Sequence, residues 1–176
     1  FERPDLPKSI AVIGTGVIGL ELGQALHRLG VKTTFFSRGG RFAGLTDPAV
    51  QASARAVLKV ELEVCEAEVF SVERVAGGAR LGWREGVRER NQVFERVLVA
   101  VGRHPNVAGL DLAAAGIACD ARGAPLFDVA TLQCGTSPVF VAGDITGAHP
   151  LLHEAVDDGR IAGTNAARFP DISWDK

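Results

Sequence analysis

The stretch Ile10-Ala11-Val12-Ile13-Gly14-Thr15-Gly16-Val17-Ile18-Gly19 constrains this chain more than any other. A four-residue apolar run leads into Gly-x-Gly-x-x-Gly, and an apolar pattern of helical spacing follows at once. That order reads as a buried parallel strand, a tight turn and the start of a helix. Gly14 permits the turn, Gly16 leaves room for a pyrophosphate against the backbone, and Gly19 lets the helix lie against the strand. Gly23 extends the close-packed face by one turn. The first N–H groups of the helix, those of Val17 and Ile18 included, then face the phosphates from the positive end of the helix dipole. In a chain with 21 glycines the spacing alone is weak. The context decides for a dinucleotide site over a plain glycine turn, because a second strand, Lys32 to Phe36, follows at βαβ distance.

Where that second strand ends, an NAD site usually carries an acid for the ribose hydroxyls. Here the position is Ser37, followed by Arg38, Gly39, Gly40 and Arg41. No carboxylate is present to repel a 2′-phosphate, and two guanidiniums are available to pair with one, which favours NADP over NAD. The plain alternative is a pair of solvated loop arginines beside a site that tolerates NAD.

The remaining segments fill out an α/β fold. Residues 1–7 read as a linker broken by Pro4 and Pro7. The first helix runs from Val17 to Leu29 and Gly30 closes it. Asp47 caps a second helix with Pro48 in its first position, and this helix continues through Ala49 to Leu58. A strand at Glu61–Glu66 leads to an antiparallel meander: Val69–Val75, a Gly77-Gly78 turn, Ala79–Arg84 and Gln92–Arg96. Its alternating charges mark a solvated hairpin face. Val97–Val101 is another apolar strand, ending in Gly102-Arg103-His104-Pro105-Asn106. Beyond it a short helix is expected at Leu110–Ala115, a buried strand at Val139–Asp144, and a helix interrupted by glycines from Leu151 to Phe169, stopped by Pro170.

Net charge is −2 and no apolar run reaches membrane-spanning length, so neither nucleic acid nor a membrane is an expected partner. The three cysteines, Cys65, Cys119 and Cys134, are scattered without metal or redox spacing and are expected to be buried as small apolar residues in a reducing cytoplasm. No metal site is expected. His27, His104, His149 and His153 read as surface residues rather than catalysts. The chain has no methionine and begins Phe1-Glu2-Arg3-Pro4, which reads as an excised piece of a longer protein.

Three motifs in order, GTGVIGLELG, the strand ending GRHPN, and TLQCGTSPVFVAGD, make residues 8–168 resemble the pyridine nucleotide-disulfide oxidoreductases, flavoproteins with two dinucleotide folds, of the dihydrolipoamide dehydrogenase type. The resemblance implies a Rossmann-type parallel sheet with an antiparallel meander, the three-layer FAD/NAD(P)-binding fold. It assigns residues 8–104 to the NAD(P) domain and 105–176 to the returning part of the FAD domain. Gly14, Gly16 and Gly19 would hold the NAD(P) pyrophosphate and Gly102 would let a second strand approach the nucleotide. Arg103 would contact it or only cap a turn. Glu21 would lie near the nicotinamide; read from the residues alone, it is equally an acid placed in the first turns of a helix. Asp144, after Gly143, would hold the flavin ribityl chain, or is a plain Gly-Asp turn residue. The helix opening near Leu151 and His153 would aim its dipole at the flavin.

The family's FAD fingerprint, redox disulfide and acid/base pair have no counterpart in this sequence. No catalytic residue is therefore expected here, the isolated chain should be inactive, and it should not hold FAD tightly. The missing FAD and interface domains are the implied partners, in a homodimeric parent. A transhydrogenase-like flavin reductase without a disulfide and a stand-alone nucleotide-binding module are the alternatives.

Overall fold

A computed structural model of the chain describes residues 4–147 and 150–172. It divides into two compact units, Phe1–Gly102 and Arg103–Lys176.

The first unit is built on a four-stranded parallel sheet. Strands β1 (Ser9–Ile13), β2 (Lys32–Phe36), β3 (Glu63–Cys65) and β7 (Arg96–Val99) lie in the order β3-β2-β1-β7. Their side chains alternate between two cores, as a two-faced sheet requires. Ile10, Val12 and Phe35 point to one face, where they meet Leu20 and Leu26 of helix α1 (Val17–Arg28) and Leu58 of helix α2 (Pro48–Glu61). Ala11 and Phe36 point to the other, against Leu81, Trp83 and Phe94 of a second, antiparallel sheet. That sheet is the meander β4 (Glu68–Val75), β5 (Gly78–Glu85) and β6 (Arg88–Phe94). Helices, parallel sheet and meander thus form the three expected layers. Trp83 stands edge-on to Phe36, ring centroids 5.0 Å apart, with its indole N–H buried and without a hydrogen-bond partner.

The meander's last strand differs from expectation. It spans Arg88–Phe94 rather than Gln92–Arg96, because a two-residue turn at Gly86-Val87 pairs Glu85 with Arg88 at once. The charged start of β6 is no obstacle to pairing, since its ladder faces solvent and carries ion pairs Arg84–Glu89 (2.7 Å) and Arg90–Glu85 (3.2 Å). The last strand of the parallel sheet ends at Val99, two residues early, although the Ala100 N–H still donates to the Ile13 carbonyl at 2.8 Å.

The second unit contains helix α3 (Leu152–Arg168) and no regular strand among its described residues. The strand expected at Val139–Asp144 is replaced by a single bridge, Gln133 to Phe140. Leu132 takes a left-handed backbone (φ 62) and ends the extended run that would have continued the ladder. The helix expected at Leu110–Ala115 is a 3-10 turn at Ala108–Leu110, closed by left-handed Asp111. α3 runs unbroken through Gly159 and Gly163, where glycine interruptions were expected. Two small cores hold this unit: Ile117, Cys134 and Val141, then Leu132, Ile161 and Ala162.

Cys134 is buried and Cys65 half-buried, but Cys119 is exposed, against expectation. It sits on a two-stranded bridge to Pro125 too small to cover it. Burial pushes the Cys134 and Cys65 thiols up from their ordinary range. His104 and His153 are exposed and His27 half-buried, while His149 lies outside the described residues.

Candidate functional site

The glycine turn sits at the C-terminal end of β1, where open α/β sheets place their ligands. Gly14 has φ +107, and a Cβ there would stand 2.3 Å from the Ala100 carbonyl oxygen beyond β7. It therefore serves two ends, the turn itself and the close approach of the neighbouring strand. A Cβ on Gly19 would stand 2.2 Å from the Gly14 carbonyl, and one on Gly23 would enter the Phe35 ring at 2.4 Å. Gly16 is different. A Cβ there meets nothing within 4 Å, so the space above it is open.

Gly16 is also the N-cap of α1, in extended backbone and with no side chain capping the helix. Val17 and Ile18 lie exposed in the first turn, with no acid among its residues. The free first-turn donors, the dipole and the open space above Gly16 fit a phosphate group. Glu21 is exposed in the fifth helical position, just beyond the first turn. Gly102, exposed with φ +121, borders open space.

The loop from Ser37 to Asp47, which carries the residues expected at the adenosine end, follows β2. Ser37 does not present its hydroxyl to solvent: it is 3% exposed, and its Oγ lies 2.8 Å from Thr15 Oγ1. The Thr15 hydroxyl also bonds the Arg41 carbonyl. Ser37, the residue expected in the place of a ribose-binding acid, thus faces inward. Beside it Arg38 is open to solvent, its side chain 84% exposed and its Nη1 a loose 3.8 Å from Glu68. The Arg41 side chain is exposed too.

Sequence reasoning missed the residues that hold this loop. From α2, Gln51 accepts from the Phe42 N–H (3.2 Å) and donates to the carbonyls of Phe42 (3.1 Å) and Leu45 (2.6 Å). Arg55 donates to the Gly40 carbonyl at 2.8 Å and pairs with Glu66, which Lys59 also holds at 2.7 Å. Lys59 first, then Arg55, keep the Glu66 carboxyl below its ordinary range. The signal was present as spacing: Gln51, Arg55 and Lys59 recur every fourth residue, one polar stripe on a helix.

In the second unit, Gly143 and Asp144 open a 3-10 turn, Gly143–Thr146. The Gly143 N–H donates to the carboxylate of buried Asp158 on α3 at 3.2 Å. Asp144 pairs with Arg103 at 2.6 Å. Arg103 was expected at the NAD(P) nucleotide or as a turn cap, and Asp144 at the flavin or as a turn residue; the structure brings the two together. α3 begins after Leu151 with no side-chain cap.

A surface groove of about 1130 Å³ opens elsewhere on the first unit, lined by Lys8, Ser9, Arg74, Glu95 and Arg96 among others. It lies at the starting ends of β1 and β7, away from the glycine turn. Among the described residues, no cluster of His, Cys, Asp or Glu has the makings of a metal site, and no helix is long and apolar enough to cross a membrane.

A profile of the pyridine nucleotide-disulphide oxidoreductases matches residues 1–159. Among curated relatives, the dihydrolipoyl dehydrogenase of Thermus scotoductus is 34% identical over 92% of this chain and 36% of its own length. That of Chlamydia trachomatis serovar D is 32% identical, over 93% and 34%. The mercuric reductase of Staphylococcus aureus is 32% identical over 94% and 30%. The chain spans about a third of the length of these relatives. Among solved structures, LpdA of Mycobacterium tuberculosis superposes with a TM-score of 0.79 at 25% identity, covering 98% of this chain and 37% of that one. The Cu(II) complex of the HOCl-induced flavoprotein disulfide reductase RclA of Escherichia coli gives 0.79 at 23%, covering 98% and 39%, a likeness of fold.

Proposed function

From the membership of this chain in the pyridine nucleotide-disulphide oxidoreductase family, we propose that it is the NAD(P)-binding segment of a dihydrolipoamide dehydrogenase-like flavoenzyme, joined to the returning part of the FAD domain. The parent moves a hydride between NAD(P)H and FAD and on to a disulfide or dithiol. The observation that carries the reading is the uncapped helix start at Gly16, with open space where a pyrophosphate would lie.

When bound, the nicotinamide and flavin supply the redox chemistry, and this chain supplies binding and orientation. Gly14 shapes the turn, Gly16 admits the phosphates, and the first-turn N–H groups of Val17, Ile18 and Gly19 donate to them. Arg38 and Arg41 stand at the adenosine end, where their charge favours a 2′-phosphate and hence NADP. Asp144 would hold the flavin ribityl chain, with Arg103, 2.6 Å away, orienting its carboxylate. With no redox disulfide or acid/base pair among its own residues, the chain itself carries no catalytic residue.

The test is a pair of variants titrated with both coenzymes. Gly16→Ala has ordinary backbone angles and no clash, so the fold should persist while NADPH and NADH both weaken at least about tenfold. Arg38→Glu should weaken NADPH by about 1–3 kcal/mol and leave NADH unchanged or tighter. Undiminished binding by Gly16→Ala would end the phosphate reading, and equal losses in Arg38→Glu would end the preference for NADP.

A further inference from the structure

The second residue of the glycine motif is neither small nor turned to the ligand side. Thr15 is 5% exposed, and its side chain crosses from the turn to the loop that follows β2. Its hydroxyl meets Ser37 at 2.8 Å and the Arg41 carbonyl, and its own carbonyl accepts from the Ala43 N–H at 2.8 Å. Ala43 has φ 53, a left-handed conformation that a residue with a side chain holds only under constraint. Phe42, fully buried beside it, is gripped from the other side by Gln51. The loop carrying Arg38 and Arg41 is therefore fastened between the glycine turn and α2.

We propose that Thr15 is a positioning residue for coenzyme choice: through Ser37 and Arg41 it couples the phosphate turn to the loop that reads the adenosine end. This rests on the reading of the first unit as an NAD(P) site. Its physical content is preorganisation. A loop already ordered loses less freedom when it closes on a ligand, and the benefit goes to the coenzyme that uses the loop most. Thr15 does not touch the ligand in this account. It sets where the Arg41 backbone, and with it the adjacent guanidiniums, stand relative to the helix start.

The variants Thr15→Val, which keeps shape and loses the hydroxyl, and Thr15→Ser, which keeps the hydroxyl, separate this role from packing. In the nucleotide-free chain, amide exchange at Phe42 and Ala43 should accelerate about tenfold in Thr15→Val and return toward wild type in Thr15→Ser. The NADPH dissociation constant should rise about tenfold in Thr15→Val and that of NADH less than about twofold, with Thr15→Ser restoring the ratio. Gln51→Leu releases the opposite side of the loop and should move both readouts in the same direction if Thr15→Val fails to fold. Unchanged exchange, or equal weakening of both coenzymes, overturns the assignment of Thr15 and leaves the dinucleotide site standing. A wild-type chain that binds neither coenzyme overturns the site and this inference together.

Discussion

The two compact units solve the same problem of burial by different means. In the first, nearly every apolar segment is a strand with a partner or a helix face on a sheet, and Phe35, Phe36, Phe42 and Phe94 are almost wholly enclosed. In the second, an equally apolar segment, Val139 to Ala142, finds one bridging residue; Phe140 packs with Ile161 and Ala162 of α3, while Val139 and Val141 join Ile117 and Cys134. Its order comes from side chains that satisfy backbone locally. Asp128 accepts from the N–H groups of Ala130 and Thr131, Asp120 from those of Arg122 and Ala124, and Asn165 donates to the Thr131 carbonyl. The contrast teaches that hydrophobicity sets what a segment can bury, while a ladder needs a neighbour of matching length.

The comparison can be broken most forcefully in the cores. Phe35→Ala should cost about 3–5 kcal/mol and Leu132→Ala about 2–5 kcal/mol. Followed by residue-resolved exchange, the first should loosen the parallel sheet and spare α3, and the second the reverse. Loss of protection across both units from either variant would mean one cooperative body. A smaller effect is expected at the cap of α2, whose Asp47 accepts from the Ala49 and Val50 N–H groups at 2.8 and 3.0 Å. Asp47→Ala should cost about 1 kcal/mol, with exchange rising first in α2, which has no fully buried residue of its own.

Acid gives the mildest test. Glu66 and Asp128 both have carboxyls held below their ordinary range, Glu66 chiefly by Lys59 and Asp128 chiefly by the Thr131 backbone. A lowered folded-state pKa stabilises fully above the unfolded value of about 4 and is lost as pH falls through the folded value. As pH falls below about 4, amide shifts around Arg55 and Gly40 in the first unit and around Ala130 in the second should therefore move independently. A single shared midpoint would contradict the division.

Much of the first unit could be read from the chain itself. The bounds of β2, the cap at Asp47 and the stop at Gly30 follow from β-branched and aromatic residues, an N-cap acid before proline, and a left-handed glycine (φ 88). Gly14 and Gly19 were legible as positions in the glycine motif where a Cβ does not fit. Thr15 carried no such signal, and the polar stripe that marks Gln51 and Arg55 as one helix face does not name what they hold, because these partners lie 6 to 26 residues away. Ser37 was legible as a position and not as an orientation. The pairing of Arg103 with Asp144 was hidden likewise, 41 residues apart by their numbers, and so was the missing ladder at Val139, whose apolar sequence alone cannot supply a neighbour.

Trp83 gives the layered unit a built-in lamp. Its indole is enclosed between the meander and Phe36, so its emission should be blue-shifted while those layers stay together and move to the red when water enters. The chain's other tryptophan is Trp174, and Trp174→Phe leaves a single emitter. Its wavelength then follows the separation of meander from parallel sheet without any attached dye.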